Sequence, residues 1–236
     1  MIKQTIIFTL IFTITLTTCL GQQSVNQYDK NGERHGYWTK NYDGTDQKRY
    51  EGNFINGKEV GTFKFYKLKD GKSVLSATKE FNESDDIAKV TFYTSAKKIV
   101  SHGKMIRKNF IGKWIYYHNN SDAIMIEEHY NDKGLLDGKR LVYYENGNIA
   151  EDTYYKNGKL NGEAQWYTKA KQYIRTVEYL NGERHGQTIN YDGKGNRASE
   201  GMFQKDQKVG VWKYYKDGVL SKEIDHTINK VVYDKD

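Results

Sequence analysis

Apolar positions in this chain come in short bursts that alternate with polar ones. Gly112-Lys-Trp-Ile-Tyr-Tyr117 and Gly210-Val-Trp-Lys-Tyr-Tyr215 are typical: brief, aromatic, too short for helices and suited to strands. Turn signals separate the bursts. Asn56-Gly57, Asn157-Gly158 and Asn181-Gly182 predict tight hairpin turns, because both residue types tolerate positive φ. A second set, at Asp70-Gly71, Asn146-Gly147 and Asp217-Gly218, divides the chain again. The reading is strand, turn, strand, turn. Beyond the first 21 residues no window carries an apolar 3.6 period of useful length.

The bursts repeat in register. Gly36, Gly61, Gly112, Gly138, Gly162, Gly186 and Gly210 are spaced by 25, 51, 26, 24, 24 and 24 residues, and Ala88 stands in the gap of 51. Five residues after each of these anchors comes a tyrosine: Tyr66, Tyr93, Tyr117, Tyr143, Tyr167, Tyr191 and Tyr215, with Tyr42 one place late in the first copy. Two residues after the anchor a large aromatic is frequent (Trp38, Phe63, Trp114, Trp212), and Trp166 comes four places after its own. An aromatic such as Phe54, Phe81, Tyr130 or Phe203 closes most copies.

The expected fold is therefore all-β: an elongated antiparallel sheet of about eight tandem hairpins, with a period of 24–26 residues, over residues 32–233. One hairpin is marginal alone, so stability must accumulate between neighbours. Alternation sends the +2 aromatic and the +5 tyrosine to opposite faces, leaving open which row meets water. Aligned tyrosines are expected to form a ladder. The third copy, from Asp85 to about Lys108, lacks its glycines and its Trp and is expected to be a bend or soft spot. With 20 Tyr, 22 Gly, no Pro and mean hydropathy of −0.87, the chain suits a thin structure that buries aromatics locally.

Residues 1–21 read as an export signal, with Lys3 ahead of an uncharged run from Ile6 to Leu16, and residues 22–31 as a linker. Two processing schemes stay open: cleavage before Gln22, or lipidation of Cys19 within Leu16-Thr17-Thr18-Cys19. Both place the protein outside the cytoplasm, secreted, periplasmic or outer-membrane-associated. Cys19 is the only cysteine, so the body forms no internal disulfide and no cysteine zinc site. The net charge of +7 is scattered in both signs, without the basic stripe of a nucleic-acid binder; membrane contact is expected only through the lipid anchor.

Catalytic chemistry finds little support. His35 and His185 sit in identical Asn-Gly-Glu-Arg-His-Gly strings and read as turn residues; the remaining histidines lack metal-ligand spacing. Asp85-Asp86 and Glu127-Glu128 are adjacent on extended chain, so each pair points to two faces. No nucleophile elbow, Walker loop or dinucleotide fingerprint occurs. The expectation is a non-enzymatic protein without cofactor, metal or catalytic residues.

The string Tyr50-Glu51-Gly52-Asn53-Phe54-Ile55-Asn56-Gly57-Lys58-Glu59-Val60-Gly61 resembles the MORN motif, Tyr-x-Gly-x-x-x-x-Gly-x-x-x-Gly. The longer period and the Gly-x-Trp-x-x-Tyr wording are similar to the bacterial MORN-repeat variant labelled a YwqK-type antitoxin. The resemblance implies a hairpin scaffold that binds an unidentified protein partner at the cell envelope. Two alternatives accompany it: a cell-wall glycan module using the rows of Trp38, Phe63, Trp114, Trp166 and Trp212 or of the tyrosines, and a toxin-neutralising protein.

Overall fold

A computed structural model describes residues 24–235, all in strands, turns and connecting chain. The strands are β1 (Gln27–Tyr28), β2 (Arg34–Asn41), β3 (Lys48–Ile55), β4 (Lys58–Lys69), β5 (Lys72–Phe81), β6 (Ile87–Tyr93), β7 (Ile99–Ile106), β8 (Asn109–Tyr117) and β9 (Ile124–Tyr130). They continue as β10 (Gly138–Tyr143), β11 (Ile149–Lys156), β12 (Lys159–Leu160), β13 (Gly162–Tyr167), β14 (Tyr173–Leu180), β15 (Glu183–Tyr191), β16 (Arg197–Gln204), β17 (Gln207–Lys216), β18 (Val219–Asp225) and β19 (Lys230–Asp234). Each pairs antiparallel with the next in sequence; β12 and β13 are two pieces of one strand lying along β11. The result is one open sheet in which each copy contributes a first strand bearing the anchor and a closing strand.

Two irregularities recur because the sequence repeats them. The first is at the anchor. Opposite it the closing strand before it advances two residues (His102 to Lys104) while the first strand advances four (Ile115 to Ile111). The extra chain is taken up by the anchor, whose φ is +61° at Gly112, a conformation that favours glycine. The second lies between +4 and +5, where the pairing shifts register just before each tyrosine, for instance between Tyr116 and Tyr117 and between Tyr214 and Tyr215. Ala88 departs from the first rule. Ala77 to Phe81 pair with Phe92 to Ala88 without a break, so the third copy has no anchor bulge. Five residues, 82–86, link β5 to β6, where two-residue turns such as Asn56-Gly57 serve other copies. The expected soft spot is a regular strand pair with a longer loop.

The +2 row is the core. Trp38, Phe63, Val90, Trp114, Ala164, Thr188 and Trp212 are all buried, Trp114 completely. Each of these from Phe63 on meets a residue of the preceding closing strand, and the two vary together. Where the +2 side chain is large the partner is glycine: a Cβ on Gly52, Gly103 or Gly201 would lie 2.3–2.4 Å from the ring of Phe63, Trp114 or Trp212. Where it is small the partner grows, as in Val177 opposite Thr188 and Thr153 beside Ala164. At Arg140 the partner is Glu128, with Nε 3.3 Å from its carboxylate. The summed volume is thus held roughly constant, as close packing demands.

The indoles also carry a repeated polar contact. Trp114 Nε1 donates to the Lys104 carbonyl at 2.9 Å and Trp212 Nε1 to that of Met202 at 3.1 Å. Trp38 Nε1 donates to Gln27 at 3.0 Å, so β1, inside the stretch expected to be linker, plays the part of a closing strand. Tyr28 completes the imitation. Its ring meets Trp38 edge-on at 5.1 Å, as Phe54 meets Phe63 and Phe203 meets Trp212, both at 5.1 Å.

The pairing rule gives a double-mutant cycle. Trp114→Ala should cost about 3–5 kcal/mol and Gly103→Thr about 1–3 kcal/mol or more through the clash. Together they recreate the Thr153–Ala164 pair. Denaturant unfolding should show the double variant more stable than the sum of the singles by at least about 1 kcal/mol.

Candidate functional site

The tyrosines of the +5 row are all half-buried. Successive members do not touch one another among the described residues, contrary to the simple ladder expected from alignment. A closing strand separates each pair, setting them about 9–10 Å apart. The hydroxyl instead reaches that intervening chain, fifteen residues back. Tyr66 donates to Glu51 and Tyr215 to Glu200, both at 2.6 Å, while Tyr93 meets the Thr78 hydroxyl at 3.3 Å and Tyr117 the His102 ring at 3.0 Å. Tyr167 donates to Gln165, and Tyr173 lies between the rings of Tyr167 and Tyr191 at 4.9 and 5.5 Å. Tyr143 has its hydroxyl raised by burial and by Glu127.

This face is a ladder of paired charges. Glu51 accepts from Lys48, from Tyr37 at 2.6 Å and from Tyr66, while Lys113 meets Glu127 at 2.8 Å and Lys139 meets Asp152 at 2.9 Å. Burial would raise the Glu51 carboxyl, but the hydrogen bonds of Lys48, Tyr37 and Tyr66 outweigh it and hold it at about 2. Burial and the Glu51 carboxylate together push the Tyr66 hydroxyl up. Of the adjacent acids, Glu127 serves this face and Glu128 the core face, where it binds Arg140 and Tyr130.

The aromatics proposed for ligand stacking divide. Trp38, Phe63, Trp114 and Trp212 are core. Trp166 belongs to a separate +4 row on the same face, half-buried, with the Arg175 guanidinium 4.3 Å from its ring centre. Cys19 lies outside the described residues. Among the described residues, no group of three His, Cys, Asp or Glu side chains could hold a metal ion.

A cleft of about 700 Å³ opens where the anchor bulge is missing. Its walls are the turn ends of β3–β4, β5–β6 and β7–β8, and Phe54, Phe81 and Ala88 give it an apolar lining. Phe81 sits at the seam of the two main aromatic clusters, around Phe63 and around Trp114. Four carboxylates and three basic side chains surround it, Glu59 and Arg107 among them. Glu59 keeps contact with water, yet partial burial raises its carboxyl against the lowering pull of Lys79 and Arg34. Sequence reading missed this place, although a signal exists: Glu59 and Asp86 are acids where other copies carry Arg34, Phe110, Leu136, Leu160, Arg184 and Lys208, two residues before the anchor.

Fold and surface define a tandem β-hairpin repeat protein. The sequence matches no family model and no curated protein.

The Glu51 cluster sets a pH dependence. Its carboxyl is lowered on folding from an ordinary value near about 4.3, so its contribution is complete above that value and lost as pH falls toward about 2. The difference in melting temperature between the parent and Glu51→Gln should be largest at neutral pH and should shrink steadily between pH values of about 5 and about 2. Thermal melts at stepped pH read it.

Proposed function

We infer that the chain is a non-enzymatic, MORN-like scaffold that is exported and holds a protein partner on its repeat surface. The observation that carries this reading is the coincidence of a cleft of about 700 Å³ with the copy that lacks the anchor bulge. Regular copies satisfy themselves: ring on glycine, hydroxyl on carboxylate, indole on carbonyl. Where the second and third copies meet, Phe54 and Phe81 line a cleft together with four carboxylates and three basic side chains, and such mixed patches mark recognition sites on soluble surfaces. The same self-satisfaction argues against catalysis, since Glu51, Glu127 and Asp152 on the tyrosine face are engaged by lysines in ion pairs.

A glycan reading is weakened by the same geometry. The +2 rings are covered, and the +5 hydroxyls of Tyr66, Tyr93, Tyr117, Tyr167 and Tyr215 are engaged, so neither row offers a continuous bare platform for sugar rings. Export rests on residues 1–21, outside the described residues.

Affinity capture from cell-envelope extracts, with the chain lacking its first 21 residues as bait, tests the scaffold. One protein should be retained in stoichiometric amount, and polysaccharide pelleting should retain nothing. Retention by peptidoglycan or another polysaccharide alone would overturn the reading. Intact-mass measurement of the exported protein decides between acylated Cys19 and Gln22 as the first residue.

A further inference from the structure

Two residues before the anchor, four of the eight copies place a side chain on the rings of their own hairpin. The Arg34 guanidinium carbon lies 4.9 Å from the ring centre of Trp38 and 5.2 Å from that of Phe54. That of Arg184 lies 4.1 Å from Phe203, and Lys208 Nζ lies 4.1 Å from Trp212. In the fourth copy Phe110 stacks on Trp114 at 3.8 Å. The second and third copies have Glu59 and Asp86 there instead. The face of an aromatic ring is negative, so it attracts a cation and repels a carboxylate.

By register, Glu59 stands to Phe81 as Arg34 stands to Phe54 and Arg184 to Phe203: Gly61 pairs with Phe81, Gly36 with Phe54 and Gly186 with Phe203. Phe81 meets Phe63 edge-on at 5.5 Å and lines the cleft. The two internal cations that bear on Glu59 are placed on other rings: Lys79 Nζ is over the neighbouring Phe65 ring, 5.6 Å from its centre, and the Arg34 guanidinium is over Trp38 and Phe54. Lys58 opens β4 just after its turn and Arg107 lies in the β7–β8 turn, both lining the cleft.

The geometry points to a cation supplied from outside: the cleft receives the guanidinium of an arginine side chain on a partner polypeptide, laid over Phe81 and paired with Glu59. This deepens the scaffold reading and rests on it for the source of the arginine. Arginine is favoured over lysine by the two complete internal examples, in which Arg34 and Arg184 each lie over the closing phenylalanine of their own hairpin. A planar guanidinium can stack on the ring and present N–H groups to a carboxylate at once. At about 700 Å³ the cleft exceeds one side chain, leaving room for the backbone that carries it.

The test is titration of the full chain with acetyl-Gly-Arg-Gly-amide, followed by amide chemical shifts. The controls are the citrulline peptide, of the same shape without charge, and the lysine peptide. Saturable shifts should centre on Glu59, Phe81 and Asp86, with citrulline at least tenfold weaker and lysine intermediate. Glu59→Arg supplies the guanidinium internally, as the first and seventh copies do, and should abolish binding; Glu59→Gln should weaken it at least fivefold while leaving the fold unaltered. Equal affinity for citrulline, unchanged binding by Glu59→Gln, or no saturable shift at the cleft overturns the proposal. If the envelope partner is captured equally by the parent and Glu59→Arg, the cleft assignment fails and the scaffold stands. If the peptide binds but no partner is captured, the scaffold fails and the cleft stands.

Discussion

A ring lying on a glycine is the contact that everything else in this sheet depends on. A sheet normally hides its apolar face beneath a second layer of helices or strands. Here Trp114 reaches complete burial within its own sheet, flat against Gly103, flanked by Phe92, Phe110 and Tyr116. The missing side chain on one strand makes the space that the large one on the next strand fills. The indole N–H then finds a carbonyl beside that glycine, so no polar group is stranded by the burial. The anchor bulge is part of the same device, because two extra residues on the first strand bend it where the ring must turn.

Seen this way, the third copy is a coherent variant. Val90 needs no glycine, and its partner is the long stem of Lys79. With Ala at the anchor the positive φ is gone, the bulge disappears and the spare chain moves into the loop of residues 82–86. That rearrangement, together with acids at the covering position, creates the cleft. The fifth copy solves the same packing problem with charge: Arg140 spans Glu128 and Glu151, the latter at 2.6 Å, and Tyr130 closes on Glu128. Burial and the Glu128 carboxylate push the Tyr130 hydroxyl up to about 12.

The hairpin period, the anchors and the turn dipeptides were legible in the sequence, because each is set by local backbone chemistry. The opposite-face placement of Trp and Tyr followed from alternation alone. What was not legible depended on pairs in different strands. Nothing local says that Gly52 exists for Phe63, or that the tyrosines bond to residues fifteen positions earlier in place of stacking on each other. The boundary at residue 32 missed β1 because Gln27-Tyr28 carries no turn signature; its role appears only through the Trp38 contacts. The cleft was hidden for the same reason, since its signal is the relation between Glu59 and a phenylalanine 22 residues later.

Because each size match joins the closing strand of one copy to the first strand of the next, the units of this array are not interchangeable parts. Junctions fall into kinds: glycine facing a large ring, a β-branched residue facing a small one, and an acid facing Arg140. A gene rearrangement that joins two junctions of the same kind, such as Gly52 brought against Trp212, leaves the seam filled. One that crosses kinds leaves either a void or a collision. The array therefore carries grammatical rules for its own lengthening and shortening, written in side-chain volume.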